Sequence, residues 1–256
     1  MKNQITGLLF SCLLFGGFFA DAQNFALGFQ GGIRHAELGR PDASPIVLNT
    51  QLDSRIGQQA AIFAEFKISN FISLKPMIEY SSQGGKKLGL QGFATPDAIA
   101  ASYQPGQAPQ VLYANYNSEL KLNYVMVPLL AKFRFESPKF PLDFYVDAGP
   151  FVGFLLSADQ VNNGQSQMYT DVSLQHPVPG GPQSFNNTQN VKDQFNSFNI
   201  GIESALGIGY HFGPNRLFIE GGANFGVMDV QKTDINGKNE ASSTTVAIGY
   251  SYRFHK

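Results

Sequence analysis

The closing stretch Ser243-Thr244-Thr245-Val246-Ala247-Ile248-Gly249-Tyr250-Ser251-Tyr252-Arg253-Phe254 alternates almost without error. Thr244, Val246, Ile248, Tyr250, Tyr252 and Phe254 fall on one parity; Thr245, Ala247, Gly249, Ser251 and Arg253 fall on the other. Successive side chains of a strand point to opposite faces, so this strand has an apolar face ending in aromatics and a small, polar face. A soluble sheet could bury the same apolar face on a core. The rest of the chain separates the two cases.

The same alternation recurs upstream, giving eight stretches at 24–35, 58–69, 71–83, 115–135, 142–158, 197–212, 217–229 and 243–254. The connections after the second, fourth and sixth are tight: Asn70, Glu136 to Pro141, and Gly213 to Asn215. Those after the first, third, fifth and seventh run to about 22, 31, 38 and 13 residues. Short turns on one side and long loops on the other are the mark of a transmembrane barrel. Eleven residues tilted near 40° rise about 28 Å, enough for an apolar band about 25 Å tall. Phe25, Phe133, Phe135, Phe144, Tyr210, Phe212, Tyr252 and Phe254 fall at strand ends on the short-turn side, where an interfacial girdle belongs. The expected fold is all-β: an eight-stranded, antiparallel, up-and-down transmembrane β-barrel.

The N-terminus agrees with export to an outer membrane. Residues 1–22 read as a cleaved signal peptide: Lys2, an apolar run from Ile5 to Ala20, then Ala20-Asp21-Ala22 as a small-x-small site. The barrel domain would then occupy residues 23–256. A lipoprotein anchor at Cys12 is the rival, but the cysteine comes early and apolar sequence follows it. Cys12 is the single cysteine, so a processed chain has no thiol chemistry and no disulfide. Charged residues make up 14% of the chain, against about 25% in soluble domains, which suits a surface facing lipid. A formal charge of −1 gives no sign of a nucleic-acid partner. The expected surroundings are outer-membrane lipid and an envelope protein partner, with no cofactor and no metal. The sequence does not give the oligomeric state.

If the apolar parity faces lipid, the other faces the lumen. It carries Arg34, Lys67, Lys75, Lys121, Lys132, Arg134 and Arg253 against Glu65, Glu79, Glu119, Asp143, Asp147, Glu203 and Glu220. Hairpin register sets Arg134 opposite Asp143 and Glu65 opposite Lys75. Eight strands enclose room for their own side chains and little more, so a paired, structural plug is expected. The fourth strand breaks parity between Leu120-Leu122 and Val127-Leu129, which predicts a β-bulge near Tyr124 to Pro128. Pro76 and Pro150 also interrupt strands. The long loops, rich in Gln, Asn, Pro and Gly, read as exposed and mobile.

Catalytic signals are sparse. His35, His176, His211 and His255 are the histidines, and only His211 has lumen parity, with Phe218 and Glu220 as expected neighbours. His176 with Asp171 or Ser173 is the one constellation that could be assembled for hydrolysis. Asp234-Ile-Asn236-Gly237 reads as a turn, because calcium-ligand spacing fails beyond it. Gly31-Gly32 and Gly221-Gly222 suit strand bending, not phosphate binding.

Tyr124-Val-Met-Val-Pro-Leu-Leu-Ala-Lys132 resembles the fourth strand of the PorT-like outer-membrane β-barrel family, and Tyr145-Val-Asp-Ala-Gly-Pro150 resembles its fifth. Gly201-Ile-Glu203, Gly207-Ile-Gly209 and Ile248-Gly-Tyr-Ser-Tyr-Arg-Phe254 are similar too. In the first strand Gly28 to Ile33 is followed by Arg34, where the family commonly has asparagine. The resemblance implies an eight-stranded barrel with no cofactor and no catalytic residues. The family's naming member is an accessory of a secretion and gliding apparatus. Three functions follow as expectations: a non-enzymatic scaffold or accessory working through its loops, a narrow pore or uptake barrel, and a surface hydrolase using His176. The first is the one expected.

Overall fold

A computed structural model describes residues 24–39, 53–232 and 239–255. The expected signal peptide with Cys12 and the 234–237 turn lie outside the described residues. In chain order the strands are β1 (Asn24–Leu38), β2 (Arg55–Lys67), β3 (Ile72–Lys87), β4 (Leu90–Ala94), β5 (Val111–Asn115), β6 (Asn117–Glu136) and β7 (Leu142–Asn163). Then come β8 (Gln165–Ser166), β9 (Gln183–Ser184), β10 (Asn187–Asn190), β11 (Phe198–Phe212), β12 (Asn215–Asp229) and β13 (Glu240–His255). A one-turn helix, α1 (Asp97–Ala100), lies between β4 and β5.

Strands β1, β2, β3, β6, β7, β11, β12 and β13 pair antiparallel in that order. Pairing of β13 with β1, from Asn24↔His255 to Leu38↔Ala241, closes the ring. The expected eight-stranded barrel is therefore the fold. Closure leaves the wall no open edge, whose unpaired amides would be costly in lipid.

Parity sorts the wall as the sequence predicts. Phe29, Ile33, Ile62, Ile202, Leu206, Ile219 and Ile248 face out and are more than half exposed. In water each would cost about 25 cal/mol per Å² of apolar surface, whereas in hydrocarbon that cost vanishes. At the short-turn end Phe25 stacks on Phe254 at 4.8 Å, and Phe71 and Phe140 join the girdle from the turns.

Two features differ from the sequence expectation. No bulge interrupts β6: Leu122, Tyr124, Met126, Leu130, Lys132 and Arg134 are all buried on one parity. The parity break instead reflects a lumen that turns apolar in its upper half. The register shift lies in the partner strand, where Asn123 pairs with Ser157 and Tyr124 with Leu155, leaving Leu156 as the extra residue of β7. Each proline sits beside a gap in a ladder. Pairs are missing between Phe63↔Met77 and Phe66↔Leu74 next to Pro76, and between Pro128↔Phe151 and Ala131↔Ala148 next to Pro150. Proline has no amide to give there.

β7 is also longer than expected, ending at Asn163 where the sequence reading ended it at 158. The 22 residues of β7 give a tilted rise of about 55 Å, roughly twice the apolar band. The excess projects from the long-loop end, which is extracellular in barrels of this kind.

Candidate functional site

The lumen is filled in layers. Nearest the periplasmic end, Asp143 accepts two hydrogen bonds of 2.7 Å from Arg216 and lies 2.5 Å from His211 Nε2. Glu65 accepts from Arg134 Nη2 at 2.8 Å and from Lys132 at 3.3 Å. Above this, Lys75 Nζ lies 3.1 Å from Asp147 and 3.5 Å from Glu220. Glu220 also accepts from Gln30 and from the Tyr145 hydroxyl. Phe63, Phe218 and Tyr145 pack between the charges, with Lys75 Nζ 4.7 Å from the Phe63 ring and Lys132 Nζ 4.2 Å from that of Tyr145. Higher still, Arg34 bonds Glu79 at 2.7 Å and Ser243 at 3.0 Å.

Most of these contacts join strands that are next but one around the ring: β1 to β3, β2 to β6, β7 to β12. Inward side chains of a narrow barrel meet over the intervening strand, so the nearest register partner is not the ion-pair partner. Arg134 pairs in register with Tyr145, and its Nε stays 3.8 Å from Asp143. Lys75 pairs with Asp147 and Glu220, not with Glu65. His211 faces Arg216 and Asp143 instead of Phe218 and Glu220.

Of the predicted lumen charges, Arg34, Glu65, Lys75, Glu79, Lys132, Arg134, Asp143, Asp147, Glu203 and Glu220 are buried inside. Lys67 is exposed at its strand end, beyond the packed interior. Arg253 stands at the rim, 3.8 Å from Glu136. Glu119 and Lys121 sit on the opposite parity of β6, 3.8 Å apart, and Glu119 bonds Arg55 at 2.6 Å. Arg55 and Arg216 are buried charges that the sequence reading missed, because it began their strands at 58 and 217. Arg216 shares parity with Phe218 and Glu220, a signal that was available.

The upper lumen is apolar. Leu38, Leu122, Tyr124, Met126, Phe151 and Leu155 form one cluster with Val191, Phe195 and Val230, which come in from the loops. The barrel mouth is thus capped by side chains from above.

Beyond the mouth, the second and third long loops fold against each other into a head. β4 and β5 make a hairpin. Tyr113 and Tyr169 exchange two 2.8 Å backbone bonds between the loops. Leu112, Ala114, Met168 and Val178 form its core, with Phe93, Ile99, Tyr116 and Phe185 against them. Tyr116 stacks on Phe185 at 4.5 Å. These two loops are exposed over most of their length, as expected, but share a small apolar core; burying this set offsets the entropy of ordering them.

The His176 constellation lies at the tip of this head. Ser173 Oγ donates to Asp171 at 2.5 Å, and His176 meets the same carboxylate through its backbone amide at 2.7 Å and Nδ1 at 3.1 Å. Ser173 and His176 both bond to Asp171 and not to each other, so the imidazole does not address the hydroxyl. The Ser173 hydroxyl, then the amides of Gln175 and His176, hold the Asp171 carboxyl well below the usual carboxylate range. Among the described residues no group of His, Cys, Asp and Glu could hold a metal ion.

The family model described as outer membrane protein beta-barrel domain matches residues 19–232. The chain belongs to that family. Membership in the outer membrane protein beta-barrel domain family gives it an outer-membrane location. Among solved structures, this barrel is similar to Neisserial surface protein A (14% identity, 90% of this chain and 99% of that chain, TM-score 0.40). It is also similar to OprG of Pseudomonas aeruginosa (8%, 92% and 97%, 0.44) and to the outer membrane protease OmpT of Escherichia coli (12%, 91% and 98%, 0.33). At these scores the likenesses carry nothing about what this barrel does. No curated protein matches the sequence.

Proposed function

We propose that this protein is a non-enzymatic scaffold or accessory of the outer membrane that holds another envelope protein through its extracellular head. One observation carries this: two loops far apart in sequence build a folded head with its own apolar core, carried on strands that continue past the lipid band. A rigid barrel that presents shaped loops is the usual arrangement for recognition. The filled lumen would act as a structural plug that stiffens the support, since most of its charges lie against an opposite charge or an aromatic ring. The PorT-like resemblance, whose implied role is that of an envelope accessory, points the same way.

The test is gentle detergent extraction from native outer membranes, with native sizing and identification of co-migrating proteins. It is run on the full chain and on a variant with residues 164–186 replaced by a short turn, which keeps the β7–β10 pairing and the capping Val191 and Phe195. The full chain is expected in a defined larger complex that the variant loses while remaining folded. A lone, barrel-sized particle for the full chain would count against the proposal.

A further inference from the structure

Two cavities of about 10 Å³ lie inside the barrel and make opposite chemical demands. The upper one is bordered by Arg34, Gln59 and Glu203. Its unbonded buried atoms are one donor, Arg34 Nε, and two acceptors, Gln59 Oε1 and Glu203 Oε2. A water can accept from that donor and donate to both acceptors, and a cavity of about this size holds one. A bare cation would face the guanidinium and a bare anion the carboxylate.

The lower cavity lies at the periplasmic mouth, bordered by Glu65, Arg134, His211, Arg216, Ser251 and Arg253. Here the unbonded buried atoms are Arg134 Nε and Arg216 Nη1. Both are donors on side chains that cannot accept. Arg134 and Arg216 are more than nine-tenths buried. The nearby carboxylates are already engaged: Glu65 by Arg134 and Lys132, Asp143 by Arg216 and His211. Arg253 adds a third guanidinium, and its carboxylate partner Glu136 is half exposed and 3.8 Å away, beyond hydrogen-bond reach. Each guanidinium has one carboxylate within 4 Å, yet two orphan donors are left around one small space. Every oxygen of Glu65 and Asp143 already accepts a bond, so a guest here is asked mainly to accept.

We propose that the periplasmic mouth of the barrel binds a single small anion of the halide kind, held by Arg134, Arg216 and Arg253. Room for one water-sized species excludes phosphate and sulfate. The Ser251 hydroxyl can rotate to add a donor. Charge-assisted bonds to an anion satisfy both orphan nitrogens at once.

Bromide is the probe. Crystals of the folded chain grown in sodium bromide should show an anomalous peak within hydrogen-bond distance of Arg134 Nε and Arg216 Nη1, and none in the upper cavity. In detergent, bromide exchanged for gluconate at constant ionic strength should raise the unfolding temperature saturably. Arg253→Ala lies at the rim and should fold, keeping the electrophoretic shift of a folded barrel, while its half-saturating bromide concentration rises several-fold. Water at the mouth in bromide crystals overturns the proposal, as does a bromide response identical in the two proteins. A crystal peak without a saturable response in solution means binding at crystal concentration only, and overturns it too.

Discussion

Lys75→Met removes one cation from the middle of the lumen and leaves the length of the side chain nearly unchanged. Lys75 is completely buried, with Asp147 Oδ2 at 3.1 Å, Gln30 Oε1 at 3.3 Å and Glu220 Oε2 at 3.5 Å from its Nζ. The thioether fills the space beside Phe63 but leaves Asp147 with Lys132 at 3.8 Å as its remaining cation. Glu220 keeps only the neutral donors Gln30 and Tyr145. Removing one member of a buried pair costs about 3–5 kcal/mol, and these residual partners place the loss near 3 kcal/mol, as an order of magnitude. With a urea slope of about 2 kcal/mol/M, the unfolding midpoint should fall by about 1.5 M. The chain has no tryptophan, so far-ultraviolet dichroism and the gel shift of the folded barrel are the signals to follow in lipid vesicles. Lys75→Met combined with Asp147→Leu removes both charges, and should recover most of the loss. A single substitution costing under about 1 kcal/mol, or a double variant no better than the single, would refute the view that paired charges hold this lumen together.

Leu112→Ala, at a fully buried site of the head, should cost the head about 2–5 kcal/mol and open residues 164–197 to limited proteolysis without changing the barrel's gel shift. Equal protection in both proteins would mean the two loops do not share a core. Asp171 predicts a pH response of definite sign. Its folded carboxyl is held below the ordinary value of about 4, so the tip is at full stability above that value and loses it only as pH falls through the depressed one. The amide resonances of Gln175 and His176 should therefore stay in place down to the ordinary aspartate range, and shifting at or above it would contradict the Asp171 contacts.

The barrel was legible because period-two patterning and long–short connections are direct consequences of a wall with lipid on one side. The lumen was legible less completely. Parity tells which residues share a face, but not which face is wet or greasy at a given height. Leu120 and Leu122 therefore suggested a bulge in β6, where the interior lined by Leu122, Tyr124 and Met126 had simply turned apolar. Ion-pair partners were hidden for a related reason: adjacent-strand register cannot show that Lys75 on β3 reaches over β6 to Asp147 on β7. Arg55 and Arg216 stand at strand starts, where propensity gives the least warning. The head was invisible because its core draws on Leu112 and Met168, more than fifty positions apart, inside segments whose Gln, Asn and Gly content reads as loop.

The account rests most heavily on a lumen closed by its own side chains beneath a head that does the work. Planar-bilayer recording tests it most directly, using the folded chain and the variant lacking 164–186, each with its folded gel shift verified beforehand. The plug lies in the periplasmic half and is independent of the head, so both proteins should be electrically silent. A steady conductance from the intact chain, rising when Arg134 or Asp147 is replaced by alanine, would contradict the closed lumen and make the barrel a pore.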